Sequence, residues 1–269
     1  MAALVETVEA RLGSSDSAIG FETTGGGSWE VWDRYLTLDG KQAYHIGNVC
    51  NTCNFFFERL EGATRSVAAS EVADELASGV SSLADSVVTS WGRALPEGEY
   101  AACLFEARPA LVAPGSEADY FAHEQIDLWG VDGFWGMPHQ PHTEYYRLGA
   151  APVGKGGRLF QFLVPMFPQN WLEAKDVERY TTVLERGGQP TAVAISVLDV
   201  KQPAMWEGEP EVTEHWCLAH YLLDGHHKSF AAARAGLPIT LLSFLAIDKG
   251  IASPDQITTA LQTLRQDAV

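Results

Sequence analysis

The residues best suited to chemistry lie together in one short stretch of Asp224, Gly225, His226, His227, Lys228 and Ser229. The apolar run WCLAHYLL precedes this stretch and the alanine-rich run FAAARAG follows it, which predicts a strand, a corner and a helix. A helix N-terminus attracts anions, because its first N–H groups have no intrahelical partners and its dipole is positive there. Cationic side chains at that end are unfavourable unless an anion offsets them. The stretch therefore predicts an anion-binding corner.

The expected catalytic residues are Asp224, His226, His227 and Lys228, and the expected cofactor-binding residues are Gly225 and Ser229. The histidines and the lysine would hold phosphate oxygens, and the glycine would let the backbone approach the anion. The aspartate would act as a base, as a magnesium ligand or as a helix cap. In the alternative interpretation, the aspartate only caps the helix and the histidines pack or face solvent.

A second group with chemical potential is Cys50 and Cys53, which form a C-x-x-C pair before the run FFFERL. This spacing suits a zinc site, and His139 and His142 offer an H-x-x-H pair as the other half of a tetrahedral set. The same spacing also serves disulfide exchange, because a helix N-terminus lowers the pKa of a thiol. A third alternative is two reduced cysteines packed against the phenylalanines. The sequence leaves these three interpretations open.

The elements that position these residues follow from periodicity and turn signals. Helices are predicted at 2–12, 53–63, 69–95, 170–188, 226–236 and 253–266, and strands at 28–38, 41–47, 99–112, 157–167, 190–200, 216–224 and 238–248. Residues 114–158 show no clean period, and we expect them to line a site or to cover the core. The fold class is α+β with a mixed sheet. We divide the chain into an N-terminal α+β region, residues 1–165, and a C-terminal region, residues 166–269, with one continuous domain as the alternative.

Composition limits the class of function. The chain has 269 residues, of which 46% are apolar and 20% charged, and its formal net charge is −17. Proteins that bind nucleic acid usually present a basic face, so we expect no nucleic-acid partner. No run of 18 apolar residues occurs and the first twenty residues lack a signal-peptide pattern, so we expect no membrane partner and a cytoplasmic location. The four cysteines then predict no disulfide framework.

The corner and its flanks resemble the ParB/sulfiredoxin-like superfamily over about residues 170–250. The run LLDGHHKSFAAARAGLPITLLSF matches its order of strand, corner, alanine-rich helix and strand, and TAVAISVLDVKQP resembles its first strand. The resemblance implies that the corner faces a nucleotide phosphate. Lys228 stands where the family usually has arginine, and His226 stands where sulfiredoxins have cysteine, which argues against sulfinic-acid reduction. No helix-turn-helix region follows, which argues against a role in chromosome partitioning.

These observations predict a kinase-like enzyme, namely a nucleotide-dependent phosphotransferase or nucleotide hydrolase that acts on a small molecule with ATP or ADP and Mg²⁺. Glu211, Glu214 and Asp199 are further candidates for a carboxylate base. One alternative is a non-enzymatic module that binds a nucleotide or another ligand. Another is a zinc or redox protein centred on the C-x-x-C pair.

Overall fold

The computed structural model describes residues 1–67, 73–131, 141–206 and 208–266. Within these ranges the strands are β1 (Ala3–Leu12), β2 (Ile19–Gly26), β3 (Trp29–Leu38), β4 (Lys41–Asn48), β5 (Glu58–Arg59), β6 (Gly98–Ala107), β7 (Ala110–Val112), β8 (Tyr145–Val153), β9 (Gly157–Val164), β10 (Thr191–Lys201), β11 (Glu214–Asp224) and β12 (Ile239–Ala246). The α-helices are α1 (Ala73–Ser78), α2 (Asp85–Gly92), α3 (Glu124–Trp129), α4 (Ala174–Glu185), α5 (His226–Ala235) and α6 (Pro254–Gln266). Short 3-10 helices lie at Tyr120–Ala122 and Gln169–Trp171.

The strands form an eight-stranded sheet in the order β1-β6-β12-β10-β11-β9-β8-β7 and a four-stranded sheet in the order β2-β3-β4-β5. In the larger sheet, β10 is parallel to β12 and β11 is parallel to β9, while the other pairs are antiparallel. This mixed sheet with helices confirms the α+β class. Strands from residues 1–165 and from residues 166–269 pair directly, since β6 pairs with β12 and β9 pairs with β11.

The two faces of the larger sheet pack on different layers. One face packs on the four-stranded sheet and on α1 and α2, and the other packs on α4, α5 and α6. Because side chains alternate along a strand, each central strand contributes to both cores. We call the first the sandwich face and the second the helix face.

The larger sheet is strongly curled. A flat sheet would hold β1 and β8 about 29 Å apart, because six steps of roughly 4.8 Å separate them. Instead, α6 contacts both strands, and a Cβ built on Gly149 in β8 would lie 2.5 Å from the Cα of Met1. The sheet therefore wraps around the helix-face core, and α6 fills the gap between β1 and β8.

Several predicted elements are confirmed. The strands predicted at 28–38 and 41–47 are β3 and β4, and they are joined by a hairpin turn at Asp39 and Gly40, which have positive φ, 51° and 72°. The helix predicted at 253–266 is α6, and Ser253 caps it: the Gln256 N–H donates to Ser253 Oγ at 3.3 Å, and the Ser253 N–H donates to Gln256 Oε1 at 2.8 Å. In the described part of the chain, no helix is long and apolar enough to span a bilayer.

Three helix predictions are wrong. Residues 2–12 form β1, which pairs along its length with β6. In residues 53–63, Phe55 and Phe57 are buried on alternate positions and lead into the two-residue strand β5. The helix predicted over 69–95 is divided into α1 and α2 by residues 79–84.

Candidate functional site

The corner begins where β11 ends at Asp224 and α5 begins at His226. Gly225 is the N-cap of α5, with φ 96° and ψ 23°, which is left-handed backbone that favours glycine. A Cβ at this position would lie 2.8 Å from Cα and Cβ of Ala192 on β10. The glycine therefore allows the first turn of α5 to approach the sheet closely.

The histidines of the corner accept hydrogen bonds from backbone groups. His226 is buried, stacks on the ring of Phe167 at 3.9 Å, and accepts the N–H of Met166 on Nε2 at 2.9 Å. His227 is half-buried and accepts the N–H of Glu173 on Nε2 at 3.1 Å. An imidazole nitrogen that accepts is unprotonated, so the buried His226 ring has its single proton on Nδ1. Burial lowers the pKa of His226 to about 3, with a smaller contribution from His227.

This geometry corrects the argument that three cations crowd the end of α5. The His226 ring is neutral because it is desolvated and because its Nε2 lone pair holds the Met166 N–H. Lys228 is also buried, with 4% of its surface exposed. Its ammonium donates to the carbonyl of Thr191 at 2.8 Å and to Oδ2 of Asp224 at 3.2 Å. Burial lowers the pKa of Lys228, and Asp224 opposes that shift.

The first backbone N–H groups of α5 have no side-chain cap among the described residues. The predicted capping role of Asp224 is absent, because its carboxylate pairs with Lys228 and no described side chain caps this helix. Ser229 donates its N–H to the carbonyl of Gly225 at 2.8 Å. The preceding N–H groups, those of residues 226–228, are the ones that cannot bond within the helix. They are the positive end of a ten-residue helix.

A cleft of about 260 Å³ lies at this helix end. Its walls come from the corner and from α4, which packs against α5. Asp176, Arg179 and Tyr180 of α4 line it, and all three were missed in the sequence. The Arg179 guanidinium pairs with Asp176 at 3.3 Å and lies over the Tyr180 ring at 4.6 Å. Their i, i+3, i+4 spacing on one helix face is the signal that identifies them.

The predicted cofactor-binding residues are placed differently from one another. Gly225 lines the cleft. Ser229 is fully buried in the core beneath the helix, and its Oγ has no hydrogen-bond partner among the described residues. Asp224 lines the cleft with a side chain that is 28% exposed. Together with Asp176 it supplies the carboxylate oxygens that Mg²⁺ prefers.

The other candidate bases lie far from the cleft. Asp199 is eight residues along β10 from Thr191, or about 26 Å at 3.3 Å per residue, and its buried carboxylate accepts from Nη1 of Arg34 at 3.0 Å. Glu214 begins the strand that Asp224 ends, and these ten residues span about 33 Å. Neither carboxylate reaches the corner, because each lies at the opposite end of its strand.

Cys50 and Cys53 form a disulfide. A zinc ligand is a thiolate, so the oxidised pair does not fit a zinc ion. His142 pairs through Nδ1 with Glu58 at 2.7 Å, and His139 lies outside the described residues. Among the described residues, no three His, Cys, Asp or Glu side chains form a group that would hold a metal. The zinc site stays a prediction for the reduced chain.

The arrangement at the corner has a definite chemical capacity. Open N–H groups and one guanidinium favour an anion, while two carboxylates can hold a divalent cation or accept a proton. Comparisons of the chain with protein-family models, with curated proteins and with solved structures find no match.

Proposed function

We propose that the cleft between α4 and α5 binds the phosphate group of a small molecule or nucleotide, and that the protein is a nucleotide-dependent phosphotransferase or nucleotide hydrolase. The observation that carries this proposal is the uncapped N-terminus of α5, which opens into a cleft that also contains the guanidinium of Arg179. The resemblance of residues 170–250 to the ParB/sulfiredoxin-like superfamily supports the same proposal.

Each residue has a stated part in this proposal. The N–H groups of the first turn of α5 and the Arg179 guanidinium bind phosphate oxygens. Asp224 and Asp176 bind Mg²⁺, which neutralises charge on the phosphates when bound. Lys228 orients the Asp224 carboxylate through its hydrogen bond to Oδ2. Since pockets for whole small molecules span about 300–1,000 Å³, the cleft encloses a phosphate and its neighbouring atoms, and the rest of the ligand extends into solvent.

One observation favours a second function, a binding module without turnover. The Asp224 carboxylate is engaged by Lys228 through Oδ2 at 3.2 Å, so that oxygen already accepts a hydrogen bond from an ammonium group. In that case the protein would bind a phosphorylated ligand and release it unchanged.

Calorimetric titration tests binding, with inorganic phosphate, AMP, ADP and ATP as probes, each with and without Mg²⁺. The test variant is Arg179→Met, and the control is Arg186→Met, which removes an exposed arginine just beyond α4. A charge-assisted contact contributes about 1.5–3 kcal/mol, so Arg179→Met weakens binding by at least about tenfold and the control does not. If no probe binds the wild-type protein, or if both variants bind equally, the cleft is not a phosphate site.

Turnover separates the two functions. Released phosphate and nucleotide composition are measured over time at saturating nucleotide with Mg²⁺. An enzyme forms ADP or AMP, and Asp224→Asn abolishes that reaction while keeping the binding that calorimetry measures without Mg²⁺. If the wild-type protein binds nucleotide but forms no product, the protein is a binding module and the enzyme proposal is rejected.

A further inference from the structure

The Cys50–Cys53 disulfide lies in a surface loop that follows β4, remote in sequence from the corner. Asn51 and Thr52, the two residues between the cysteines, are exposed, and the cysteines are half-buried. The pair is therefore accessible to a reagent in solution. Cys103 and Cys217, the two other cysteines, are free thiols buried in the core.

The sulfur of Cys50 has donors around it. The N–H of Cys53 donates to Cys50 Sγ at 3.1 Å, and the hydroxyl of Thr52 lies 3.3 Å from the same sulfur. A sulfur in a disulfide has no proton, so the hydroxyl is the donor. Hydrogen bonds to the charged form of a group favour that form. On reduction, these two donors would stabilise a thiolate at Cys50.

A buried cation lies beneath the same loop. Lys201, at the end of β10, is fully buried, and its ammonium donates to the carbonyl of Cys50 at 2.7 Å and to Oδ1 of Asn48 at 3.3 Å. Cations close to a cysteine favour its thiolate. Burial lowers the pKa of Lys201 to about 8, so at pH 7 the side chain is mainly the ammonium form, which would add to the acidity of Cys50.

Hydrogen bonds from other parts of the protein hold this loop in addition to the covalent link. Three consecutive carbonyls, those of residues 50–52, accept hydrogen bonds from outside the loop. Lys201 Nζ binds the first, the Gln202 N–H binds the second at 2.9 Å, and Trp129 Nε1 binds the third at 3.0 Å. A disulfide across so few residues also removes little entropy from the unfolded chain. Structural stabilisation is thus a weak explanation for the pair.

We propose that Cys50 and Cys53 are a redox-active pair that exchanges electrons with thiols and disulfides, with Cys50 as the attacking thiol and Cys53 as the resolving thiol. This activity is independent of the phosphate cleft. Thr52 and Lys201 are positioning residues, because they act through the Cys50 thiolate.

The exchange balances in two steps. The Cys50 thiolate attacks a substrate disulfide, so one bond forms from Cys50 Sγ to a substrate sulfur, and the second substrate sulfur leaves as a thiolate that takes a proton from water. The Cys53 thiolate then attacks Cys50 Sγ, which restores the Cys50–Cys53 disulfide and releases the second substrate thiol. The substrate gains two electrons and two protons. A dithiol reductant returns the pair to its reduced form by the reverse steps.

The first test is equilibration of the folded protein in buffers of reduced and oxidised glutathione, and separately of reduced and oxidised dithiothreitol. Free thiols are trapped with a maleimide and mapped by mass spectrometry. We expect the pair to pass from oxidised to reduced within the range of the buffers while circular dichroism stays native. Cys53→Ser accumulates a glutathione adduct on Cys50, and Cys50→Ser accumulates far less on Cys53. A pair that is reduced only when the protein unfolds overturns the proposal.

The second test is the pH dependence of alkylation of the reduced protein by iodoacetamide. An ordinary cysteine has a midpoint at about pH 8.5, and we expect Cys50 to react with a midpoint at least one unit lower. Thr52→Val raises the midpoint and Thr52→Ser restores it. Lys201→Met raises it as well, whereas Lys155→Met, in an exposed turn between β8 and β9, does not. An ordinary midpoint, or one that Thr52→Val leaves unchanged, overturns the assignment of Cys50.

A zinc titration of the reduced protein completes the test. The redox proposal predicts that glutathione disulfide reoxidises the pair at the same rate with and without an equivalent of zinc. Stoichiometric zinc uptake that blocks reoxidation overturns it in favour of a metal site. None of these readouts depends on phosphate binding, so this proposal and the cleft proposal fail separately.

Discussion

The two faces of the eight-stranded sheet bury different kinds of side chain. The sandwich face holds a continuous cluster of large rings: Phe55, Phe57, Tyr120, Phe121, Tyr145, Phe160 and Phe162. The helix face buries leucines and a few rings such as Phe105 and Trp216, and it also holds a set of small and polar groups: Ala192, Ala194, Ser196, His220, Ala231, Ala232 and Ser243. Of these, His220 Nδ1 lies 2.7 Å from Ser196 Oγ and 2.9 Å from Ser243 Oγ.

The difference assigns separate tasks to the two faces. Aromatic rings bury the largest area per residue and make edge-to-face contacts, so the ring cluster makes a large contribution to the packing energy. Small residues on the helix face let α5 approach the strands closely, which brings its N-terminus to the cleft. The ring cluster and the close contact of α5 are therefore on opposite sides of one sheet, and mutations on the two sides have different consequences.

Of the substitutions that test this difference between the two faces, Phe162→Ala is expected to lower the free energy of unfolding most. The ring is fully buried and its centroid lies 5.1 Å from that of Tyr120 and 5.7 Å from that of Phe55. Removing it leaves a cavity, so the free energy of unfolding falls by about 3–5 kcal/mol, as measured by urea denaturation. Phosphate binding by the folded fraction stays unchanged. A loss below about 1 kcal/mol would contradict the large contribution of the ring cluster.

Gly225→Ala tests the close approach on the helix face. The new Cβ would meet Ala192 at 2.8 Å on backbone with φ 96°, so strain and overpacking together cost about 3 kcal/mol. Gly236→Ala is the matched control, because Gly236 also has left-handed φ, 64°, but nothing lies within 4 Å of its Cβ position. Gly236→Ala therefore measures the cost of left-handed backbone alone, which is about 1–2 kcal/mol. Equal losses in the two variants would show that the contact with Ala192 is unimportant.

The third prediction concerns acid and His226. Burial holds its pKa at about 3 in the folded protein, against about 6.5 in the unfolded chain. Between these values the unfolded chain binds more protons, so the stabilisation is complete above pH 6.5 and is lost as the pH falls towards 3. Linkage gives a loss of at most about 2.5 kcal/mol between pH 7 and pH 4.5.

The variant His226→Gln isolates that contribution. Its amide oxygen can accept the Met166 N–H, and it does not titrate. Urea midpoints are measured from pH 7 to pH 4.5, and the variant loses less stability with acid than the wild-type protein does. Parallel curves would mean that His226 is solvated or protonated in the folded state.

The C-terminal elements were predictable because the structure that each short stretch of sequence favours is the one that it adopts in the folded protein. The β-branched run of β10 lies in the sheet interior, Gly225 has positive φ at the corner, and the Ser253-Pro254 pair begins α6. The first strand was not predictable. Leu4, Val8 and Leu12 recur every four residues, which favours a helix, but pairing with β6 overrides that preference.

The site was predictable in part. The corner could be found because its residues are consecutive in sequence. The spacing of Asp176 and Arg179 places them on one face of α4, but that this face borders the corner follows only from the packing of α4 on α5. The neutral state of His226 also depends on tertiary structure, since the Met166 N–H that it accepts comes from a segment sixty residues earlier.

The curled sheet has a consequence for the order in which the chain is made. The first strand, β1, needs β6 as its partner, and α6 packs against both β1 and β8. At about 5–20 residues per second, a ribosome adds residue 266 roughly 13–50 s after residue 12. During that interval the apolar helix face is open between β1 and β8, so a nascent chain that lacks residues 254–266 exposes a surface that chaperones bind.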